Sequence, residues 1–347
     1  MWRDKGTRIK RLTFLLAVIL CFSCVSCGRA SGERTVSKTY FLMDTVIEIK
    51  LRCGEETAAP VFSACGEIMS GVEAVLSRTV SDSAVSRFNT EGQWQVDAAF
   101  SKVVQTALDV SGATDGAFDP TVEPIVSLWK RCEEQGRLPV EEELHECLAH
   151  VGTEHLVWEE NTLTRTDPAT ALDLGAIGKG YAIDLVVDYL EKTEVPGGVV
   201  SFGGNVAVFG AKKNGEAYRI GLRDPQNTAG VLGYLSVPSG VISVSGDYER
   251  YVTINGARYH HIIDPKTGYP AESGLRSVAV LCEDGTLADA LSTALFVMGV
   301  EEAMALYESA VFPFEAVFVT EDEIILTEGL AEGGRFEHTA KQYRLAS

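Results

Sequence analysis

Ile47, Ile49 and Leu51 alternate with Glu48 and Lys50, the period of a strand with one buried face. Between 58 and 76 the apolar positions instead fall at helical spacing, and the same pattern predicts helices over 99–112, 141–150, 178–192, 286–298 and 301–309. Strands are expected at 155–158, 171–174, 198–202, 206–210, 217–223, 231–237, 241–244, 250–254, 258–263, 277–282, 315–319 and 324–327. They crowd the second half of the chain, separated by Gly and Asn turns of hairpin type, and do not alternate one for one with helices. That order predicts an α+β body of mixed, largely antiparallel sheets with flanking helices, not a doubly wound nucleotide-binding sheet. No repeat, low-complexity tract or linker interrupts 39–345, so one domain is expected there.

The N-terminus has a different pattern. Arg3, Lys5, Arg8, Lys10 and Arg11 precede an apolar run from Leu12 to Val25, the layout of a secretory leader. At 14 residues the run is shorter than the roughly 20 a helix needs to cross a bilayer. It ends in Cys24-Val25-Ser26-Cys27, which is similar to a bacterial lipobox, where small residues precede a lipid-modified Cys. Cys27 fits better than Cys24, which has bulky Phe22 two positions before it, although Cys24 stands where a lipobox usually has Leu. The expectation is a signal peptide over 1–26, lipid on Cys27, a small polar tether over 27–38, and residence on the extracytoplasmic face of a bacterial cell membrane. Simple secretion and an uncleaved anchor are the alternatives.

The leader carries five of the 30 basic residues and one of the 49 acidic ones, so residues 27–347 have a formal charge of −23. Such a surface repels nucleic acid and anionic headgroups, which excludes nucleic acid as a partner and leaves the lipid as the only membrane link. Beyond Cys27, the cysteines Cys53, Cys65, Cys132, Cys147 and Cys282 have no paired spacing. Scattered and odd in number, they read as buried thiols and not as a disulfide framework.

Three segments carry candidate chemistry. Asp173-Leu174-Gly175-Ala176-Ile177-Gly178-Lys179-Gly180 reads as a strand end, a Gly-rich turn and a helix start, whose free amides and Lys179 can face an anion; a plain tight turn explains it equally well. It is not a Walker A loop, because Lys179 is followed by Gly180. Asp289 and Thr293 lie one helical turn apart and share a face. A carboxylate and a hydroxyl are hard oxygen ligands suited to Mg²⁺, whereas an Asp in a first helical turn also stabilises the macrodipole with no metal. In His260-His261-Ile262-Ile263-Asp264-Pro265, adjacent histidines on a strand point to opposite faces, so one at most enters a site. The Asp264-Pro265-Lys266-Thr267-Gly268 sequence is good turn chemistry in its own right.

These segments resemble, in order, the FAD:protein FMN transferase (ApbE) family. The resemblance runs through Phe41-Leu42-Met43-Asp44-Thr45, Ser86-Arg87-Phe88-Asn89, Asp115-Gly116-Ala117-Phe118-Asp119-Pro120-Thr121, the 173–184 block, Ser201-Phe202-Gly203-Gly204-Asn205, Ile242-Ser243-Val244-Ser245-Gly246-Asp247, His261 to Pro265 and Ala288-Asp289-Ala290-Leu291-Ser292-Thr293. It implies the fold of that family and Mg²⁺-dependent transfer of FMN from FAD to a Thr or Ser hydroxyl of another protein, with release of AMP. It also implies FAD contacts from Met43, Ala117, Phe118, Asp119, Asp173, Lys179 and Ile263, and Mg²⁺ held by Asp289, Thr293 and the carbonyl of Ala176. His261, by type and position, is the candidate base for the acceptor hydroxyl. The implied acceptors are subunits of membrane redox complexes of the Rnf or sodium-pumping NADH:quinone reductase type. Hydrolysis of FAD would use the same ligands; flavin binding without catalysis is a third reading, against which the joint presence of Asp289, Thr293 and His261 speaks. Two positions depart from the pattern: Thr79 stands where many members have an aromatic, and Asp44 where Gly is common.

Overall fold

The computed structural model describes residues 34–212 and 214–346; the leader, Cys27 and the start of the tether lie outside them. Among the described residues, nine strands form one sheet in the order Thr35–Leu42, Thr45–Arg52, Gly197–Phe202, Asn205–Gly210, Gly240–Gly246, Ser277–Cys282, Glu315–Val319, Glu323–Leu326 and Arg344–Ala346. All neighbours are antiparallel except the last pair. Side chains along Ser277–Cys282 fall alternately into two cores. Val278, Val280 and Cys282 meet the helices, and Ala279 and Leu281 meet the opposite layer. Coverage of both faces is why this strand is an unbroken apolar run.

On the first face lie the helices Glu55–Leu76, Ser101–Ala113, Gly178–Leu190 and Gly285–Glu308. The last is apolar on nearly every side because it is enclosed by the sheet and its neighbours. On the second face sits a three-stranded sheet of Phe336–His338, Val231–Val237 and Tyr218–Arg223. A smaller core joins helices Glu123–Glu134 and Glu141–Leu148 to the hairpin of Tyr251–Ile254 and Ala257–His260. The fold class is the α+β arrangement expected from the pattern.

Local expectations need correction in three places. The expected tether runs through residue 38, but Thr35 already pairs with Arg52 and Val36 is buried in the main core, so the folded body starts earlier than Thr39. Residues 171–174 form no strand beyond a single bridge from Ala171 to Val122. Instead the Asn89 side chain satisfies Leu172, accepting from its N–H at 2.7 Å and donating to its carbonyl at 2.9 Å, so the backbone needs no ladder. The strand expected over 258–263 ends at His260. The two helices expected over 286–298 and 301–309 are present within Gly285–Glu308, separated where expected by the non-helical backbone of Gly299, whose φ of 79° only glycine adopts readily.

Candidate active site

The main sheet, the Gly178–Leu190 helix and the Gly285–Glu308 helix enclose a cleft of about 820 Å³. Its wall includes Met43, Ala117, Phe118, Asp119, Asp173, Ala176, Lys179, His261, Ile263, Asp289 and Thr293, residues scattered over most of the chain. All the candidate flavin, Mg²⁺ and catalytic residues named from the sequence line it; Cys27 lies outside the described residues.

Met43 and Asp44 form the two-residue turn between Thr35–Leu42 and Thr45–Arg52, both with φ of 53°. Left-handed backbone at both positions is the primed turn that matches strand twist, and it favours Gly or Asn at its second position. That accounts for Gly being common where this chain has Asp44. The turn is fastened at the cleft rim: Met43 N–H donates to Glu73 Oε1 at 2.7 Å, and Arg250 donates to the Asp44 carbonyl at 3.0 Å.

Asp119 and Asp173 shape two other loops. Asp119 Oδ1 accepts the Thr121 N–H at 2.7 Å, and burial pushes its carboxyl pKa up. Asp173 Oδ1 accepts the Gly175 N–H at 2.8 Å, while its Oδ2 pairs with Arg78 Nε at 2.8 Å. Lys179 Nζ reaches back to the Gly175 carbonyl at 3.0 Å and stands 3.5 Å from Asp289 Oδ1.

Asp289 lies in the second turn of its helix and is 3% exposed. The dipole role open to it from the sequence belongs to Asp284, which caps the helix by accepting from Leu287 N–H at 2.9 Å. Asp289 accepts from Gly180 N–H at 2.9 Å and from Asn205 Nδ2 at 2.8 Å. Ser243 donates to Asn205 Oδ1 at 2.8 Å and so orients that amide. Gly180 N–H, in the first turn of its helix, has no acceptor within that helix, and Asp289 supplies one. Thr293 completes this wall, 3.4 Å from Ser245 Oγ. One buried carboxylate, a hydroxyl and the Ala176 carbonyl, which lies before the cap of the Gly178–Leu190 helix, are oxygen donors of the kind that suit Mg²⁺.

The two histidines separate as their spacing predicts, although His261 lies just past the strand. His260 turns inward, its ring edge-on to Phe296 and its Nε2 3.1 Å from the Ala271 carbonyl. His261 opens to the cleft, with Nδ1 3.1 Å from the Arg250 carbonyl. A carbonyl can only accept, so Nδ1 carries the proton and Nε2 keeps its lone pair. Desolvation by the surrounding wall, reinforced by the charges of Arg250 and Lys179, lowers its pKa to about 4. His261 is therefore neutral near pH 7.

The ApbE family matches residues 43–318. The chain belongs to the ApbE family. Its relatives include the FAD:protein FMN transferases of Vibrio cholerae, 36% identical over 261 residues covering 74% of this chain and 78% of the relative, and of Haemophilus influenzae, 33% identical over 317 residues covering 86% and 90%. Among solved structures, the flavin transferase ApbE of Vibrio cholerae superimposes with a TM-score of 0.76 at 30% identity, covering 86% of this chain and 99% of that one. The Thermotoga maritima apbE protein gives 0.76 at 32% identity, covering 89% and 98%. Against the pattern of the ApbE family, Thr79 is a small side chain on the cleft wall, its hydroxyl 3.1 Å from Ser77 Oγ, so this wall offers no ring there for stacking. Arg78, Glu73, Asn205 and Ser243 have no role legible in the sequence, because their partners are remote in the chain.

Proposed function

We propose that this chain transfers FMN from FAD to a Thr or Ser hydroxyl of an acceptor protein and releases AMP. The observation that carries the reading is the meeting of Asp289, Thr293, Lys179 and a neutral His261 on the wall of one cleft, in a chain whose relatives bear the name FAD:protein FMN transferase. FAD is the substrate. Met43, Ala117, Phe118, Asp119, Asp173 and Ile263 hold it from the cleft walls, and Lys179 offsets charge on its diphosphate. Asp289, Thr293 and the Ala176 carbonyl would hold Mg²⁺, which when bound would supply charge neutralisation at the phosphorus and on the departing phosphate. His261 Nε2 takes the proton of the acceptor hydroxyl as its oxygen bonds to the FMN phosphorus and the anhydride bond to AMP breaks. An anionic diphosphate opposite Lys179 and Arg250 offsets the charges that depress His261 and raises its basicity when substrate is present.

Incubation of the protein with FAD, Mg²⁺ and a flavin-accepting subunit of an Rnf or sodium-pumping NADH:quinone reductase complex tests the reading. Flavin fluorescence on the subunit after denaturing electrophoresis is the expected outcome. Free FMN with AMP would instead establish hydrolysis, and unchanged FAD a binding protein. We further propose a lipid on Cys27 that holds the enzyme outside the cytoplasm, which suits acceptors in membrane complexes. Cys27→Ala is expected to release it from the membrane fraction or to stop its processing, and normal processing with retained membrane attachment would refute the anchor.

A further inference from the structure

The two edges of the nine-stranded sheet differ. One is Arg344–Ala346, only three residues long. The other is Thr35–Leu42, eight residues in unbroken register with Thr45–Arg52 and, among the described residues, with no strand on its outer side. Proteins blunt a free edge with short length, prolines, bulges or inward charges because its unpaired amides recruit another chain. Thr35–Leu42 has no proline and no bulge, and carries a single lysine, Lys38.

The register tells which groups are free. A two-residue turn closes on the hydrogen-bonded pair Leu42 and Thr45, so pairing alternates and Ser37, Thr39 and Phe41 direct their N–H and carbonyl groups outward. The outward role of the non-bonded positions is also visible one strand away, where Val46, opposite Phe41, gives its carbonyl to Gly203 N–H on the other side. Beside this edge runs a groove of about 410 Å³ between the strand and the Glu55–Leu76 helix, lined by Lys38, Tyr40, Leu42, Phe62 and Glu67. Phe41 borders both the groove and the active-site cleft. Phe41 and Val46 face each other across the strands and are 74% and 59% exposed, an apolar pair left in solvent where the free edge meets the cleft.

We propose that the acceptor protein docks as an added strand on Thr35–Leu42, with an apolar side chain near its target hydroxyl seated on Phe41 and Val46. The inference rests on the transfer reading and adds the conformation of the partner: an extended segment, bound through its backbone, that runs along the edge into the cleft mouth. Backbone pairing supplies affinity with little sequence demand, and the Phe41–Val46 pair supplies selection. A large folded acceptor is then engaged through one strand-length segment that reaches the cleft mouth.

Proline at an outward-facing position removes a donor the sheet itself does not use, so an edge strand tolerates it. Thr39→Pro, with Ser37→Pro as a second variant, is to be assayed with the flavin-accepting subunit of a sodium-pumping NADH:quinone reductase and, in parallel, that of an Rnf complex. FAD affinity, melting temperature and oligomeric state are to be measured on the same samples. The expected result is a rise of tenfold or more in KM for the acceptor with FAD affinity unchanged. Acceptor KM unchanged in both folded variants overturns the docking edge alone. Loss of a wild-type dimer in the variants, without a change in acceptor KM, makes the edge a contact between two copies and likewise overturns it. A wild-type protein that cleaves FAD yet labels neither subunit overturns the transfer reading and the docking edge together.

Discussion

Gly180→Ala isolates how closely the two site helices must approach. A Cβ at position 180 would lie 2.0 Å from the Gly285 carbonyl oxygen and 2.6 Å from Asp289 Cβ. Backbone cannot swing aside as a flexible side chain can, so the helices must part by about 1 Å to restore van der Waals contact. Overpacking of this kind costs about 1–3 kcal/mol. The bond from Gly180 N–H to the Asp289 carboxylate is stretched at the same time, and hydrogen bonds to charged groups contribute about 1.5–3 kcal/mol. Removing glycine from a helix returns about 1 kcal/mol. The net loss is about 1.5–5 kcal/mol, on the order of 5 °C or more in melting temperature. Turnover should fall further, because an error of about 1 Å in a positioned group can cost roughly 100-fold. Gly71→Ala is the matched comparison. It lies exposed in the Glu55–Leu76 helix with nothing near its missing Cβ, so the same change there should stabilise by about 0.5–1 kcal/mol. Thermal melts and FAD turnover on both variants check the reasoning, and a Gly180→Ala protein that melts and turns over like the wild type would refute it.

His261→Ala should lower transfer by about 10²–10⁴-fold with FAD affinity little changed, while His260→Ala, which removes a ring packed on Phe296, should act on melting temperature; equal rate losses in the two would remove His261 from the chemistry. Since the folded pKa of His261 is depressed to about 4, the acid limb of kcat/KM for FAD should lie near that pH, and the stability that its neutral form contributes, complete above about 6.5, should decline as pH falls towards 4. A pH profile with its acid limb near 6.5 in the wild type and no limb in His261→Ala would contradict the assigned environment. Asp289→Ala should abolish Mg²⁺-dependent turnover while circular dichroism stays native, because Asp284 still caps the helix; retention of Mg²⁺ stimulation would reduce Asp289 to a packing residue. Asp44→Gly relieves left-handed backbone in the rim turn and should raise stability by up to about 1 kcal/mol in denaturant titration, and a loss there would show that Asp44 contributes a contact of its own.

Legibility in the sequence tracks the range of the forces involved. Strands and helices whose burial is periodic, such as Thr45–Arg52 and Glu55–Leu76, are legible because one face repeats. The break at Gly299 is legible because a glycine divides two apolar periods. Helix Glu123–Glu134 is absent from the expected elements although Ile125, Leu128, Trp129 and Cys132 have helical spacing and Pro124 stands in its first turn, so that signal was present. Helix Ala84–Glu91 buries only Ala84, Val85 and Phe88, and its local clues are its two ends, where Ser83 Oγ accepts from Ser86 N–H and Gly92 takes the left-handed conformation. The apolar stretch at 171–174 misleads because Asn89, 83 residues away in sequence, takes the place of a neighbouring strand. The site residues can be named as cleft residues only because the motifs occur together in order. Spacing alone could not have joined Asp289 to Asn205 or Asp173 to Arg78, since nothing local announces such a pair.

The bonds that close the cleft are among the longest loops the chain makes: Gly180 to Asp289 spans 109 residues, and Arg250 to the Asp44 carbonyl 206. Loops of that size close late, after nearer contacts have formed. A nascent or truncated chain that stops short of Asp289 has sheet and helices to build but no complete cleft. Occupation of the cleft therefore depends on contacts between distant parts of the chain and not on any one segment.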